Sequence, residues 1–274
     1  MLKVGVGIVV LAALAAILGP ALMPFDPAAQ DLALRLAAPS RMHPFGLDEV
    51  GRDILARVLA GARISFLVGI TVVSVSASVG TMLGAIAGYF GGLMDDAISR
   101  LIDVLLAFPG LLLAIALVAV LGPSLGNVLF ALTIIGWVGY ARLVRGQVLR
   151  AREFEYVQAA RALGAKTPRI LWTHVIPTAI PAVVVQATLG MAGAIIGEAA
   201  LSFLGLGVQP PTPSWGTMLN GGRAHLLDAP HLTIFPGLAI AALVLGFNFL
   251  GDGLRDALDP KRATSADGGR VPAA

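Results

Sequence analysis

Six long apolar runs alternate with short polar segments along the chain, at about residues 4–22, 65–89, 101–121, 125–141, 178–203 and 232–251. A hydrocarbon core roughly 30 Å thick is crossed by about 20 apolar residues in a helix, which satisfies its backbone groups internally. The pattern therefore predicts an all-α, polytopic membrane protein with about six transmembrane helices. The first run follows Lys3 as a secretory signal would. It exceeds the usual signal length and no A-x-A site follows, so it is expected to stay as an anchor.

The polar interruptions are more specific. The segment EFEYVQAARALGAKTPRILWTHVIP, residues 153–177, sets Tyr156, Ala159, Ala160 and Leu163 at i, i+3, i+4 and i+7, one face of a helix. Gly164 supplies a left-handed terminator, and Thr167 with Pro168 reads as an N-cap and a first-turn proline. The expectation is a helix, a glycine elbow and a second helix. An alanine-rich face outside the bilayer suits close contact with a protein groove; the competing reading is a basic helix drawn to anionic lipid.

In DEVGRDILARVLAGAR, Val50, Ile54, Leu55, Val58 and Leu59 share a face, and Asp48–Arg52 and Asp53–Arg57 have acid-before-base spacing. This predicts an amphipathic helix on the outer surface with solvated charges. QPPTPSWG, crowded with prolines, is expected to be an irregular outer loop that either caps the bundle or touches a partner protein outside, with Trp215 in the interface belt. Gly80, Gly84, Gly88 and Gly92 recur every fourth residue and form a flat stripe for close helix packing in lipid. Asp103 and Glu198 fall near the ends of spans. Ionisable groups there are costly, which makes both candidates for lining a path through the membrane. Pro109 predicts a kink, and Asn248 an interhelical hydrogen bond.

Composition supports the membrane reading: 57% of residues are hydrophobic, 13% are charged, and the mean hydropathy is +0.86. Without cysteine there is no disulfide, thiolate metal site or thiol catalysis. The net charge of +3 does not indicate nucleic acid, because the basic residues are spread between apolar runs. With the N-terminus inside, 13 of the 19 basic residues fall on inner segments (Lys3, Arg100, Arg142, Arg145, Arg150, Arg152, Arg161, Lys166, Arg169, Arg255, Lys261, Arg262 and Arg270). The positive-inside rule then places both termini in the cytoplasm.

Some motifs fail on context. GPSLG around Ser124 fits the hydrolase pattern but falls in a turn between two spans. LGAKT lacks the P-loop glycines, at Ala160 and Ala165. His43, His174, His225 and His231 have no metal-ligand spacing, so no metal and no cofactor is expected on this chain.

QAARALGAKTPRILWTHVIP resembles the EAA loop of binding-protein-dependent ABC-transporter permeases, with Ala159, Ala160, Gly164 and Pro177 in register. Gln158 replaces the pattern's Glu, His174 its Ile and Ile176 its Leu. HPFGLDEVGRDILARVLAGARISFLVG and GEAALSFLGLGVQPPTPSWGTMLNGGR are similar to the second permease of dipeptide, oligopeptide and nickel systems. The resemblance implies a type I importer permease working by alternating access in a bacterial or archaeal inner membrane. It further implies a homologous second permease, cytoplasmic ATP-binding subunits docked around Gln158 to Gly164, and an extracytoplasmic solute-binding protein. Peptides, nickel chelates and glutathione-like solutes all fit the branch. The expected division is an anchor and outer segment at 1–64, a permease core at 65–259 with its coupling loop at about 142–177, and a disordered tail at 260–274. A membrane enzyme using Asp103 and Glu198, and a stand-alone channel, are the rival classes.

Overall fold

In the computed structural model residues 1–258 are described, and all regular structure among them is helical. The expected tail at 260–274 lies outside the described residues. The helices are α1 (Leu2–Leu22), α2 (Ile54–Phe90), α3 (Gly92–Leu106), α4 (Gly110–Leu121), α5 (Leu125–Ala151), α6 (Glu155–Ala162), α7 (Thr167–Ile170), α8 (Ile176–Phe203), α9 (Trp215–Gly222) and α10 (His231–Leu258). Five helical runs are long and apolar enough to cross a membrane, and a sixth crossing follows if α3 and α4 count as one bent span.

The apolar runs understate the helices. α2 has 37 residues, about 55 Å at 1.5 Å per residue, and joins the expected surface helix to the second span as one rod. Its N-cap is Asp53, whose side chain accepts from Ala56 N at 2.7 Å. The charges ahead of it are not a solvated face: Asp48, Asp53 and Arg57 are all buried. Asp48 pairs with Arg52 at 2.6 Å inside a turn. Asp53 does not pair with Arg57; it stands 2.8 Å from His43 Nδ1, while Arg57 donates to Pro27 O at 3.0 Å.

α5 likewise runs past residue 141 to Ala151, because Val144, Val148 and Ala151 keep one apolar face that the core covers. α7, a π-turn at Leu171–Val175 and α8 continue as one 37-residue run, Thr167–Phe203. The N-cap of α7 is Lys166, so Thr167 is its first residue and makes no side-chain cap. Pro177 lies at the start of α8.

The third span is more than kinked. α3 and α4 meet at 83°. Pro109 caps α4, and proline disfavours helical backbone in the residue before it.

α2 is the centre of the bundle, packed along α5 and against α8 and α1, while α10 lies against α1, α8 and α9. α1 and α10 cross closely: Cβ atoms added at Gly5 and Gly253 would meet the backbone of Phe249 and Leu2, respectively. Residues 209–214 are irregular, as expected, and α9 begins at Trp215 as a regular helix with a Ser214–Thr217 capping box. Trp215 is not at an interface. It is buried, and its Nε1 donates to Val58 O at 2.9 Å. Asn248 donates to Val244 O of its own helix at 2.9 Å rather than across helices.

Candidate functional site

The loop at 152–166 is built as a rigid arm. Its helix α6 presents Val157 inward, fully buried in a cluster with Ala85 of α2, Val144 and Val148 of α5, and Ile170, Val175 and Ala179 of the Thr167–Phe203 run. Arg152 reaches Gly88 O at 3.3 Å, and the Arg161 guanidinium lies 5.5 Å from the centre of the Tyr89 ring. The arm is thereby tied to the end of α2.

α6 ends in a Schellman motif: Ala165 N donates to Ala160 O at 3.1 Å and Gly164 N to Arg161 O at 3.0 Å. Gly164 has φ +80°, a conformation that only glycine takes at no cost. A Cβ there would meet nothing within 4 Å, so the residue is required by the turn and not by its neighbours in this chain.

The other face of the arm is open. Phe154 is 45% exposed, Tyr156 47% and Leu163 89%, Ala159 is also exposed, and Trp172 of the following π-turn is 69% exposed. Gln158 is exposed and donates to Glu153 O at 3.2 Å. A fastened arm with uncovered apolar side chains is suited to transmit a push or a pull from whatever grips it.

Three of the four stripe glycines face α5. Cβ atoms at Gly80 and Gly88 would come within 2.5 Å of Trp137 O and 2.9 Å of Arg145 O, and one at Gly84 would strike the carbonyl of Ala141. Gly92 is not part of that surface. It lies beyond the end of α2 at φ +54° with open space around it, where Gly91 and Gly92 turn the chain into α3.

The membrane interior holds a cleft of about 380 Å³ between α2, α4, α5 and α8. Its walls are aliphatic and glycine-rich, including Leu132, Ile135, Gly136, Gly190 and Gly193, and Ser76, Tyr140 and Gln186 are its polar side chains. Ser76 is buried and its Oγ has no hydrogen-bond partner. Tyr140 Oη donates to Gln186 O at 3.4 Å.

Neither Asp103 nor Glu198 is among the lining residues. Asp103 is on α3 and 72% exposed, 3.3 Å from Arg142, which is also exposed. Glu198 is wholly buried in α8, where Ser202 Oγ donates to its Oε1 at 2.6 Å. Ser202 Oγ also accepts from Val208 N at 3.2 Å, so the carboxyl ties the end of α8 to the loop that leads into α9. The structure does not bring the two acids together. An ion pair that the sequence gave no reason to single out, Asp95 to Arg145, joins α3 to α5 with Oδ2 2.7 Å from the guanidinium.

Ser124 caps α5, accepting from Asn127 N at 3.1 Å. The histidines lie apart, His225 beside Asp228 and His231 3.4 Å from Leu47 O. His225 holds the exposed Asp228 carboxyl below its usual range by hydrogen bonding.

The fold is that of a type I ABC importer permease. Solved inward-facing conformations of the MetNI methionine ABC transporter superpose with a TM-score of 0.56 at 19% identity, covering 74% of this chain and 94% of that one. The family described as binding-protein-dependent transport system inner membrane component matches residues 80–264, and this chain belongs to it. The dipeptide transport system permease protein DppC of Alkalihalophilus pseudofirmus is 49% identical over 93% of this chain and 85% of its own length. The glutathione transport system permease protein GsiD of Pectobacterium atrosepticum is 50% identical over 81% of this chain and 74% of its own. This chain is therefore a multi-span membrane transport subunit.

Proposed function

We propose that this chain is one of two transmembrane halves of an ATP-driven importer of short peptides. It turns over by alternating access, with ATP hydrolysed on separate cytoplasmic subunits that grip the α6 arm. The reading rests on one observation above the others: α6 is locked to α2, α5 and α8 through Val157, while its exposed face holds out Tyr156, Ala159 and Leu163. The names of the two relatives support a peptide or the peptide-like glutathione as solute; a nickel chelate is the remaining alternative. A homologous second permease and an extracytoplasmic solute-binding protein complete the assembly. Arginine and lysine placement supports cytoplasmic termini, and with them a cytoplasmic arm, in a bacterial or archaeal inner membrane. Asp103 and Glu198 are assigned to the cytoplasmic surface and the outer cap, respectively.

The test is affinity purification of the tagged chain from its own membranes in mild detergent, with mass spectrometry of what accompanies it. A second permease and an ATPase should be recovered with the wild type, and the ATPase lost with Gly164→Asp, which also abolishes uptake while leaving insertion intact. Normal uptake by that variant would remove the docking role. Recovery of a well-folded chain alone would return the channel and the membrane enzyme to consideration.

A further inference from the structure

We infer that the bidentate ion pair between Asp95 and Arg145 is the tie that makes the third span follow the arm, so that both are positioning residues of the transport cycle. The inference rests on the importer reading and concerns how movement reaches α3 and α4, whatever the solute.

One short stretch of α5 carries both attachments. Val144 and Val148 hold Val157 of the arm in their shared cluster. Arg145, between them in sequence, holds Asp95 of α3: its Nη2 donates to Oδ2 at 2.7 Å and its Nε to Oδ1. Ser99 Oγ, one turn along α3, donates to the same carboxylate at 3.3 Å and steadies it. Arg152, at the root of the arm, donates to Gly88 O at 3.3 Å, and a Cβ at Gly88 would meet Arg145 O at 2.9 Å. The inner parts of α2 and α5 and the arm therefore form one unit, which a pull on α6 moves as a whole.

The backbone of α3 gives it no such attachment. It leaves α2 through Gly91 and Gly92, at φ +66° and +54°, where a Cβ at Gly92 would meet nothing within 4 Å. Glycine has the widest choice of backbone conformations, so this pair bends more readily than it pushes. At its other end α3 meets α4 across the 83° break. Ile98, Ile102 and Leu105 pack on Trp137, Val138 and Ala141 of α5, but apolar contact is non-directional and lets one helix roll on another. Two parallel charge-assisted hydrogen bonds fix position and rotation together. Asp95 is 16% exposed and Arg145 36%, whereas the other pair between α3 and α5, Asp103 with Arg142, is open to solvent and weak.

The experiment uses the assembled transporter in vesicles, with both permeases, the ATPases and the binding protein, and compares uptake of radiolabelled dialanine with ATP hydrolysed. Asp95→Asn and Arg145→Met should each lower uptake about tenfold, the scale of lost charge-assisted hydrogen bonds, while ATP hydrolysis stays near wild type. Asp95→Glu, which keeps the carboxylate, should recover part of the uptake. Unchanged uptake, a parallel fall in uptake and hydrolysis, or no advantage of Asp95→Glu over Asp95→Asn overturns the tie.

A second readout needs no solute. The chain has no cysteine, so spin labels at Leu93→Cys on α3 and Phe130→Cys on α5, both exposed positions, can be attached before assembly. The distance between them should be single and narrow in the ATP-free and the vanadate-trapped complex, and should spread in the trapped state once Arg145→Met is added. A distance that changes between the two states with the pair intact, or one as narrow in Arg145→Met as in the wild type, overturns the tie. A wild-type complex that hydrolyses ATP and carries no dialanine counts against the peptide reading, and the tie is then decided by the label distance alone.

Discussion

The two polar ends of this bundle are opposites. At the end away from α6, Asp48, Asp53, Arg57, Glu198, Ser202, Ser214 and Trp215 are all buried, and their hydrogen bonds tie this chain to itself. At the α6 arm the proportion inverts: Val157 is buried while Tyr156 is 47% and Leu163 89% exposed. Polar residues consumed internally stabilise a cap. Apolar residues held in the open are available to a partner, and in that respect burial separates two segments that composition alone treats as equivalent interruptions of an oily chain.

Changes at the end away from α6 should therefore act on stability. The largest effect is expected for Trp215→Ala, which removes a buried ring and leaves the Val58 carbonyl without its indole donor. It should destabilise the chain by about 3–5 kcal/mol, read as a fall in the midpoint of thermal unfolding in detergent. A midpoint within the error of the wild type would show that the cap is not integral to the bundle.

Glu198→Ala comes next. It removes the acceptor of the Ser202 hydroxyl in a buried site and should cost about 1–3 kcal/mol. Chain recovery and melting should both fall, while ATPase co-purification from the surviving folded fraction stays at the wild-type ratio. Loss of the ATPase with an unchanged melting midpoint would show that the two ends are not separable.

The reverse signature belongs to the arm. Leu163→Ala should leave the unfolding midpoint nearly unchanged, since an exposed side chain contributes within about 0.5 kcal/mol. It should weaken ATPase binding roughly tenfold if Leu163 is a contact anchor, measured by titrating the purified ATPase onto the reconstituted permease pair. Equal binding by both forms would remove Leu163 from the docking face.

The smallest effect is expected for Asp103→Asn. Asp103 and Arg142 are 72% and 60% exposed, and such a pair contributes about 0–1 kcal/mol. Stability and uptake should both stay near wild type; a several-fold drop in uptake would return Asp103 to the translocation path.

The sequence by itself determined the class of fold and the elbow at Gly164, and its six apolar runs correspond to five long helices and the bent pair α3 and α4. Apolar run length is set by the thickness of lipid, and a left-handed helix end needs glycine regardless of its surroundings. The matching motifs around Ala159, Ala160 and Gly164 carried the family as well. Helix lengths were underestimated, because a run of hydropathy stops where lipid stops whereas α2, α5 and α8 continue on buried faces such as Val144 and Val148.

Only the tertiary structure decided which polar residues face what. Trp215 and Arg57 look like surface residues until α9 docks its Trp215 against α2 and the segment before α2 folds over Arg57, and Gly92 belongs to the glycine repeat until the chain turns at Gly91. Ser76 and Gln186 carry no charge, so nothing in their spacing set them apart. They line one cleft because α2 and α8 pack side by side, which brings together residues 110 positions apart in a way that no local pattern encodes.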